Sequence, residues 1–301
     1  MFEKIKRNIN HPEKIIIKLG RVSRLIPDKL YLQAYYYNTF GKRLNLKHPK
    51  TFNEKLQWLK LYDRRPEYTI MVDKYLVRDY VSRQIGDEHL IPLLGVWDDP
   101  DEIDFEALPN QFVLKCNHNS AVGMCICRDK SELDIGKVKD ELRKGLGQDY
   151  YLSGREWPYK DVPRKIICEK YMTDNPKSHD FTDYKFFCFN GNVESVMVCF
   201  ERSSGDTKYY FFDRSWDLCR YNIRGKKAPE NFTLQKPKNM ITMFDIASKL
   251  SEGLPFARID LYNSEGHIYF GEITFFPDSG FDKNILPETD AYWGSLVRLP
   301  R

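Results

Sequence analysis

The spacing of apolar positions predicts helices in the first third of this chain and strands in most of the rest. In EKIIIKLGRVSRLI, residues 13 to 26, Ile16, Leu19, Val22 and Ile26 recur every three or four positions, the mark of an amphipathic helix that Pro27 stops. A second helical stretch follows at about 29 to 40. FNEKLQWLKLYD reads as a third helix, with Thr51 as its N-cap and Glu54 completing a capping box; Arg64, Arg65 and Pro66 end it. MVDKYLVRDYVSRQIG gives a fourth, one continuous run that Gly86 terminates.

Short apolar pieces then appear. IPLLGVW, QFVLKC and MCICR are strand-like, and SELDIGKVKDELRKGL is a helix with Ser131 as its expected N-cap. KIICEKYM, DYKFFCFNGNVESVMVCF, KYYFFD, ARIDLY and HIYFGEITFF are five strand regions, with one more helix over 238 to 252. Helices followed by an antiparallel-looking β-rich half indicate an α+β architecture. No dinucleotide or P-loop unit is visible: Gly145-Leu146-Gly147 lies at a helix end, and GxxxxGK[ST] does not occur.

Composition narrows the class. A chain of 301 residues, 42% apolar and 30% charged, can bury a sizeable core, and 19 Phe with 19 Tyr favour order over disorder. No apolar run is long enough to span a membrane, and MFEKIKRNINHPEKIIIKLG has too short an apolar stretch for a signal peptide, so a cytoplasmic location is expected. The seven cysteines never form CxxC and read as buried thiols. Residues 1 to 50 carry twelve Lys and Arg against three acids, so the excess charge of +4 belongs to the N-terminal segment. That segment is either a solvated helix face or a surface for an anionic membrane or polysaccharide, at the inner membrane face. Nucleic acid is not expected, because no zinc-finger, RNP or basic-repeat pattern accompanies the charge.

The last hairpin carries the most chemistry. Alternation puts Arg258 and Asp260 on one face, and Glu272 and Thr274 on one face of the next strand. A three-residue turn, Ser264-Glu265-Gly266 with Gly266 left-handed, pairs Arg258 with Glu272 and makes Asp260 and Glu272 same-face diagonal neighbours. A two- or four-residue loop throws them onto opposite faces. Two carboxylates and a neutral oxygen on one face suit Mg²⁺. Ser279-Gly280 beyond them is a small-residue turn whose N–H groups could meet an anion. Upstream, QFVLKCNHNSAVGMCICRDK has two strand-like runs around a small polar loop, with Lys115 on the first, a geometry suited to a flap over phosphate. His118 either binds a substrate group or makes a local hydrogen bond.

FVLKCNHNS, KIICEKYM, DYKFFCFNGNVESVMV and ARIDLYNSEGHIYFGEITFFPDSG, in this order, resemble the TupA-like ATP-grasp family of bacterial surface-polysaccharide gene clusters, and TFNEKLQWLKLYDR and VDKYLVRDYV look like its entry region. The resemblance implies an ATP-grasp fold in which two α+β subdomains clasp ATP. It divides the chain into a basic helical extension (1–68), an entry region (69–110), a lid and hinge (111–174) and a C-terminal subdomain with the metal site (175–301). ATP would be held by Lys115, the lid residues His118, Ser120 and Gly123, and a hinge of Glu169, Lys170, Tyr171 and Met172. Lys185, Arg202 and Arg258 would face the triphosphate and an acyl phosphate, and Asp260 and Glu272, with Thr274 in place of the usual Asn, would hold Mg²⁺. The implied activity is ligation of a small-molecule or glycan carboxylate to an amine. A glycosyltransferase would need DxD, present only as Asp99-Pro100-Asp101; a kinase or a non-catalytic binding protein shares the nucleotide residues.

Overall fold

Two antiparallel sheets, with helices packed on and between them, make up the computed structural model, which describes residues 12–120, 122–172, 182–201, 205–264 and 266–300. Arg202 lies outside the described residues. The chain opens with α1 (Pro12–Gly20), α2 (Asp28–Phe40), α3 (Phe52–Tyr62), α4 (Glu67–Val72) and α5 (Val77–Ile85). Then come β1 (Leu93–Trp97), β2 (Phe112–Cys116), β3 (Met124–Cys127), α6 (Ile135–Leu146), α7 (Tyr151–Gly154) and β4 (Ile166–Lys170). The second half holds β5 (Asp183–Phe189), β6 (Asn192–Phe200), β7 (Lys208–Phe212), β8 (Leu218–Cys219), α8 (Ile223–Lys227), α9 (Met240–Leu250), β9 (Phe256–Ser264), β10 (His267–Thr274) and α10 (Pro287–Leu296).

The capping box forms as the sequence predicts: the Glu54 amide donates to Thr51 Oγ1 at 3.3 Å, and the Thr51 amide donates to Glu54 Oε2 at 3.2 Å. Three helices differ from expectation for identifiable reasons. The first stops at Gly20, six residues early, because the buried Arg155 guanidinium collects the Gly20 and Ser23 carbonyls at 2.9 and 3.1 Å. The fourth breaks at Asp73, whose Oδ1 accepts from the Tyr75 amide while the Lys74 amide turns away to Asn117. The N-cap of α6 is Asp134 rather than Ser131, with Oδ1 accepting from Lys137 at 3.0 Å.

The smaller sheet runs β1-β4-β2-β3 and buries Phe112, Leu114, Ile166 and Cys168 against Val138 and Leu142 of α6. Its edge strand comes from the 69–110 stretch. The larger sheet runs β10-β9-β5-β6-β7-β8. Period-two alternation gives it two unlike faces. The back face, with Phe186, Ile259, Leu261 and Val196, packs on Met243, Phe244 and Ala247 of α9; full burial of such a side chain stabilises by roughly 1.5–3 kcal/mol. One end of the front face is aromatic: Trp293 of α10 meets Phe187 at 4.9 Å and Phe211 at 5.5 Å, and Phe52 of α3 closes the cluster at 5.4 Å. Residues 1–68 are therefore not all appendage, since α3 belongs to the main core. The other end of the same face carries Lys185, Arg258 and Asp260.

Candidate functional site

The hairpin register differs from expectation in two steps that cancel. Ser264 opposes His267, a two-residue connection containing Gly266 at φ +87°, which by strict alternation would separate the two acids. A bulge at Gly271 then inserts one extra residue, so that Glu272 stands directly opposite Asp260 and Thr274 opposite Arg258. The bulge is tightly packed: a Cβ on Gly271 would lie 3.0 Å from both the Asp260 carbonyl and the Tyr262 ring, so a larger residue would have to push one of them aside. Arg258 thus faces Thr274 rather than Glu272, and the acids are a facing pair rather than a diagonal one.

Charge is dense around that pair. Arg258 donates to both oxygens of the buried Asp260, at 2.7 and 2.8 Å, and through the same terminal nitrogen to Glu272 Oε1 and Thr274 Oγ1, both at 3.0 Å. Lys185, opposite Asp260 on β5, donates to Asp260 Oδ2 and has Asp183 at 3.5 Å. Burial lowers the Arg258 guanidinium, but Asp260 and Glu272 outweigh it and hold the pKa above the ordinary value. Burial likewise would raise Glu272; Lys74, Arg258, Lys185 and the Thr274 hydroxyl override it and bring the carboxyl down to about 2.

Lys74 has no counterpart in the sequence reading. It sits in the break between α4 and α5, held by its amide on Asn117 and by Nζ donating to the Asn119 carbonyl at 2.6 Å. Burial lowers its pKa, opposed chiefly by Glu272. Beside it Lys115 pairs with Glu169 at 2.6 Å, and Arg78 reaches the same carboxylate at 3.6 Å. The α4–α5 break therefore brings Lys74 toward Glu272, with Lys115 of the smaller sheet next to Lys74, while the larger sheet brings Lys185 and Arg258. The only sequence signal for Lys74 was its place in VDKYLVRDYV.

The loop after β2 is not an open flap. Asn117, His118 and Asn119 are buried, and Asn117 ties Asp73, Pro163 and Lys165 together at 2.8–2.9 Å. His118 Nε2 lies 3.2 Å from the Gln148 carbonyl, a local bond, and burial lowers its pKa. Ser120 is exposed. Gly123, at φ +68°, abuts Gly145, where a Cβ would meet Cα at 2.7 Å. In the expected hinge, Glu169 is occupied by Lys115, Lys170 is exposed, and Tyr171 and Met172 are half-buried coil after β4.

A cavity of about 800 Å³ opens on the front face of the larger sheet, with Lys185, Phe187, Met197, Phe211 and Arg258 in its floor. Arg224 and Lys227 of α8 stand on one wall and Asp278 and Asp282 on another. Burial, reinforced by Asp278, pushes Asp282 up to about 6. Asp278 and Ser279 are left-handed, at φ +47° and +52°, a costly conformation that its surroundings must enforce. Lys60, fully buried on α3, donates to the Ser279 and Gly154 carbonyls at 2.8 and 2.7 Å; Gln57 donates to Gly280, and the Ser279 hydroxyl donates to Glu156 at 2.5 Å. The Ser279 amide is spent on Phe276, so this turn does not offer it to an anion.

Two facing carboxylates and a hydroxyl form an all-oxygen donor set suited to Mg²⁺, although among the described residues no group of three or more His, Cys, Asp or Glu clusters closely enough to hold a metal. The Arg258 nitrogen that donates to both acids shows that this pair of carboxylates calls for a compensating positive charge. The residues fit such an ion.

The fold is α+β, of the ATP-grasp class. The TupA-like ATPgrasp family profile matches residues 54–298, and the chain belongs to that family. No curated protein matches the chain. Among solved structures it is similar to D-alanine–D-alanine ligase from Bacillus anthracis (18% identity, TM-score 0.41, covering 75% of this chain and 63% of that one). It is also similar to D-alanine–D-alanine ligase from Helicobacter pylori (14%, 0.46, 82% and 69%). A third likeness is to L-amino acid ligase from Bacillus licheniformis (13%, 0.41, 76% and 49%). The chain spans less than two thirds of the length of the B. anthracis enzyme.

Proposed function

We propose that this protein is an ATP- and Mg²⁺-dependent carboxylate–amine ligase that forms an amide through an acyl phosphate. The observation that carries the reading is the facing pair Asp260 and Glu272, set by the Gly271 bulge among Arg258, Lys185 and Lys74 and beside a substrate-sized cavity. The carboxylate would belong to a uronic-acid-type substrate and the amine to an amino acid or amino sugar, in cytoplasmic steps of surface-polysaccharide synthesis.

In this reading Asp260, Glu272 and Thr274 hold the ion, which supplies charge neutralisation on the phosphates. Lys74, from the α4–α5 break, and Lys115, from the smaller sheet, would bind phosphate oxygens, with the backbone of Glu169 to Met172 toward the base. Arg258 and Lys185, which also line the cavity, would orient the transferring phosphoryl group. Asp282, raised to about 6 by burial and Asp278, would accept the proton that the amine loses on attack. The aromatic floor excludes water, which would otherwise hydrolyse the acyl phosphate.

The test is turnover with mass detection of product. ADP release together with an amide from a panel of uronic acids and amines supports the ligase; ADP with a phosphorylated product and no amide identifies a kinase. Wild-type turnover surviving in both Asp260→Asn and Glu272→Gln eliminates the metal assignment.

A further inference from the structure

Of the periodic apolar positions over residues 13 to 26, Ile16 and Ile26 pack against the core beside Tyr31 and Leu32, whereas Leu19 and Val22 face outward. Ile17 and Gly20 turn inward, the latter so close to Tyr31 that a Cβ would meet the ring at 2.3 Å. Leu19 is half exposed, Val22 is 77% exposed and Leu25, in the turn that follows, is 90% exposed; Ile15 and Leu30 extend the same uncovered run. Exposed aliphatic side chains in this number are costly in water and mark a contact surface.

The polar residues interspersed with them are basic. Lys14, Lys18, Arg21, Arg24 and Lys29 are all exposed within the same stretch, against Glu13 and Asp28. Arg24 is paired with Asp149 at 2.8 Å and Asp28 with Arg64 at 2.7 Å, so part of this charge is used internally, but Lys14, Lys18 and Lys29 flank the apolar run at both ends. The stretch is also rigidly mounted. Arg155, which gathers the Gly20, Ser23 and Ile26 carbonyls, belongs to the segment whose Glu156 and Gly154 anchor Lys60 and Ser279 behind the cavity.

We propose that residues 15 to 30 form a membrane-docking ridge, with Leu19, Val22 and Leu25 entering the interface of an anionic bilayer and Lys14, Lys18 and Lys29 against its headgroups. The alternation of cations and aliphatics selects this occupant. A second copy of the same surface would bring like charges together, and a soluble polyanion would leave the aliphatics in water; an anionic bilayer satisfies both. The ridge lies on the membrane and does not cross it, since no helix among the described residues is long and apolar enough to span one. Nothing in this assignment depends on the reaction at Asp260 and Glu272.

The experiment is co-sedimentation of the full chain with phosphatidylcholine vesicles, with and without phosphatidylglycerol. Binding is expected only with the anionic lipid and weakens with added salt. Val22→Glu/Leu25→Glu lowers the vesicle affinity at least about tenfold, and Lys14→Glu/Lys18→Glu also lowers it, both with unchanged thermal midpoints because these side chains touch little of the fold. In Val22→Trp the emission shifts to the blue on adding anionic vesicles. No vesicle binding, unaltered binding in Val22→Glu/Leu25→Glu, or dextran sulfate bound as tightly as vesicles would each overturn the proposal. So would a wild-type dimer that this double variant converts to a monomer.

Discussion

Gly271 lies so close to the Asp260 carbonyl that a Cβ at this position would be 3.0 Å from the oxygen. The bulge centred there converts a two-residue connection, which alone would set the acids on opposite faces, into one that sets them opposite each other. Gly271→Val is therefore expected to disturb the register of β10 beyond residue 270. Stability should fall by about 1–3 kcal/mol in urea unfolding. Turnover should fall far more than stability, because Glu272 and Thr274 move together. Activity surviving alongside the stability loss would show that the pairing of the acids is not required.

Lys74 predicts a pH dependence. The folded Glu272 carboxyl is held at about 2, below its unfolded value, so its contribution is fully present above the unfolded pKa of about 4.3 and is lost as pH falls through the folded one. Lys74→Met removes the first-named cation acting on it. The variant should therefore lose most stability above about pH 4.3, where the Glu272 contribution is fully present, and its acid-induced loss should be smaller than in the wild type and end at a higher pH, the two profiles converging at low pH. An identical acid limb in the variant would remove Lys74 from the site.

How much of this was legible in the sequence depended on range. The five strand regions, the Thr51–Glu54 capping box and the shared face of Arg258 and Asp260 follow from alternation and local hydrogen bonding, which neighbouring residues decide. The bulge was visible only as a glycine inside a strand pattern, a signal of irregularity without a direction. Lys74 was invisible because its importance comes from Glu272, nearly two hundred positions away. For α1, periodicity reveals an amphipathic face but not what that face meets.

The charges buried behind the cavity act as a unit. Lys60, brought down to about 7 by burial, and Glu156, raised by burial, both hold Ser279, one through its carbonyl and the other through its hydroxyl. Lys60→Met leaves Glu156 buried without its cation and should cost roughly 3–5 kcal/mol. Adding Glu156→Gln removes the orphaned charge, so the double variant should be markedly more stable than Lys60→Met alone. Additive losses in the cycle would mean that the two groups do not interact.

The cavity wall supplies the last prediction. Arg224 and Lys227 of α8 line the cavity, whose lining includes no residue of the smaller sheet. A carboxylate substrate seated on the aromatic floor would meet them, whereas ATP would not. Arg224 is now paired with Asp206 at 2.6 Å on the surface, an exposed pair of little energetic weight that a substrate can replace. Arg224→Ala/Lys227→Ala should therefore raise KM for the carboxylate roughly tenfold, the loss of about 1.4 kcal/mol of charge-assisted binding, and leave KM for ATP and the thermal midpoint unchanged. A rise in KM for ATP instead would place the nucleotide in this cavity and reverse the orientation assigned to the site.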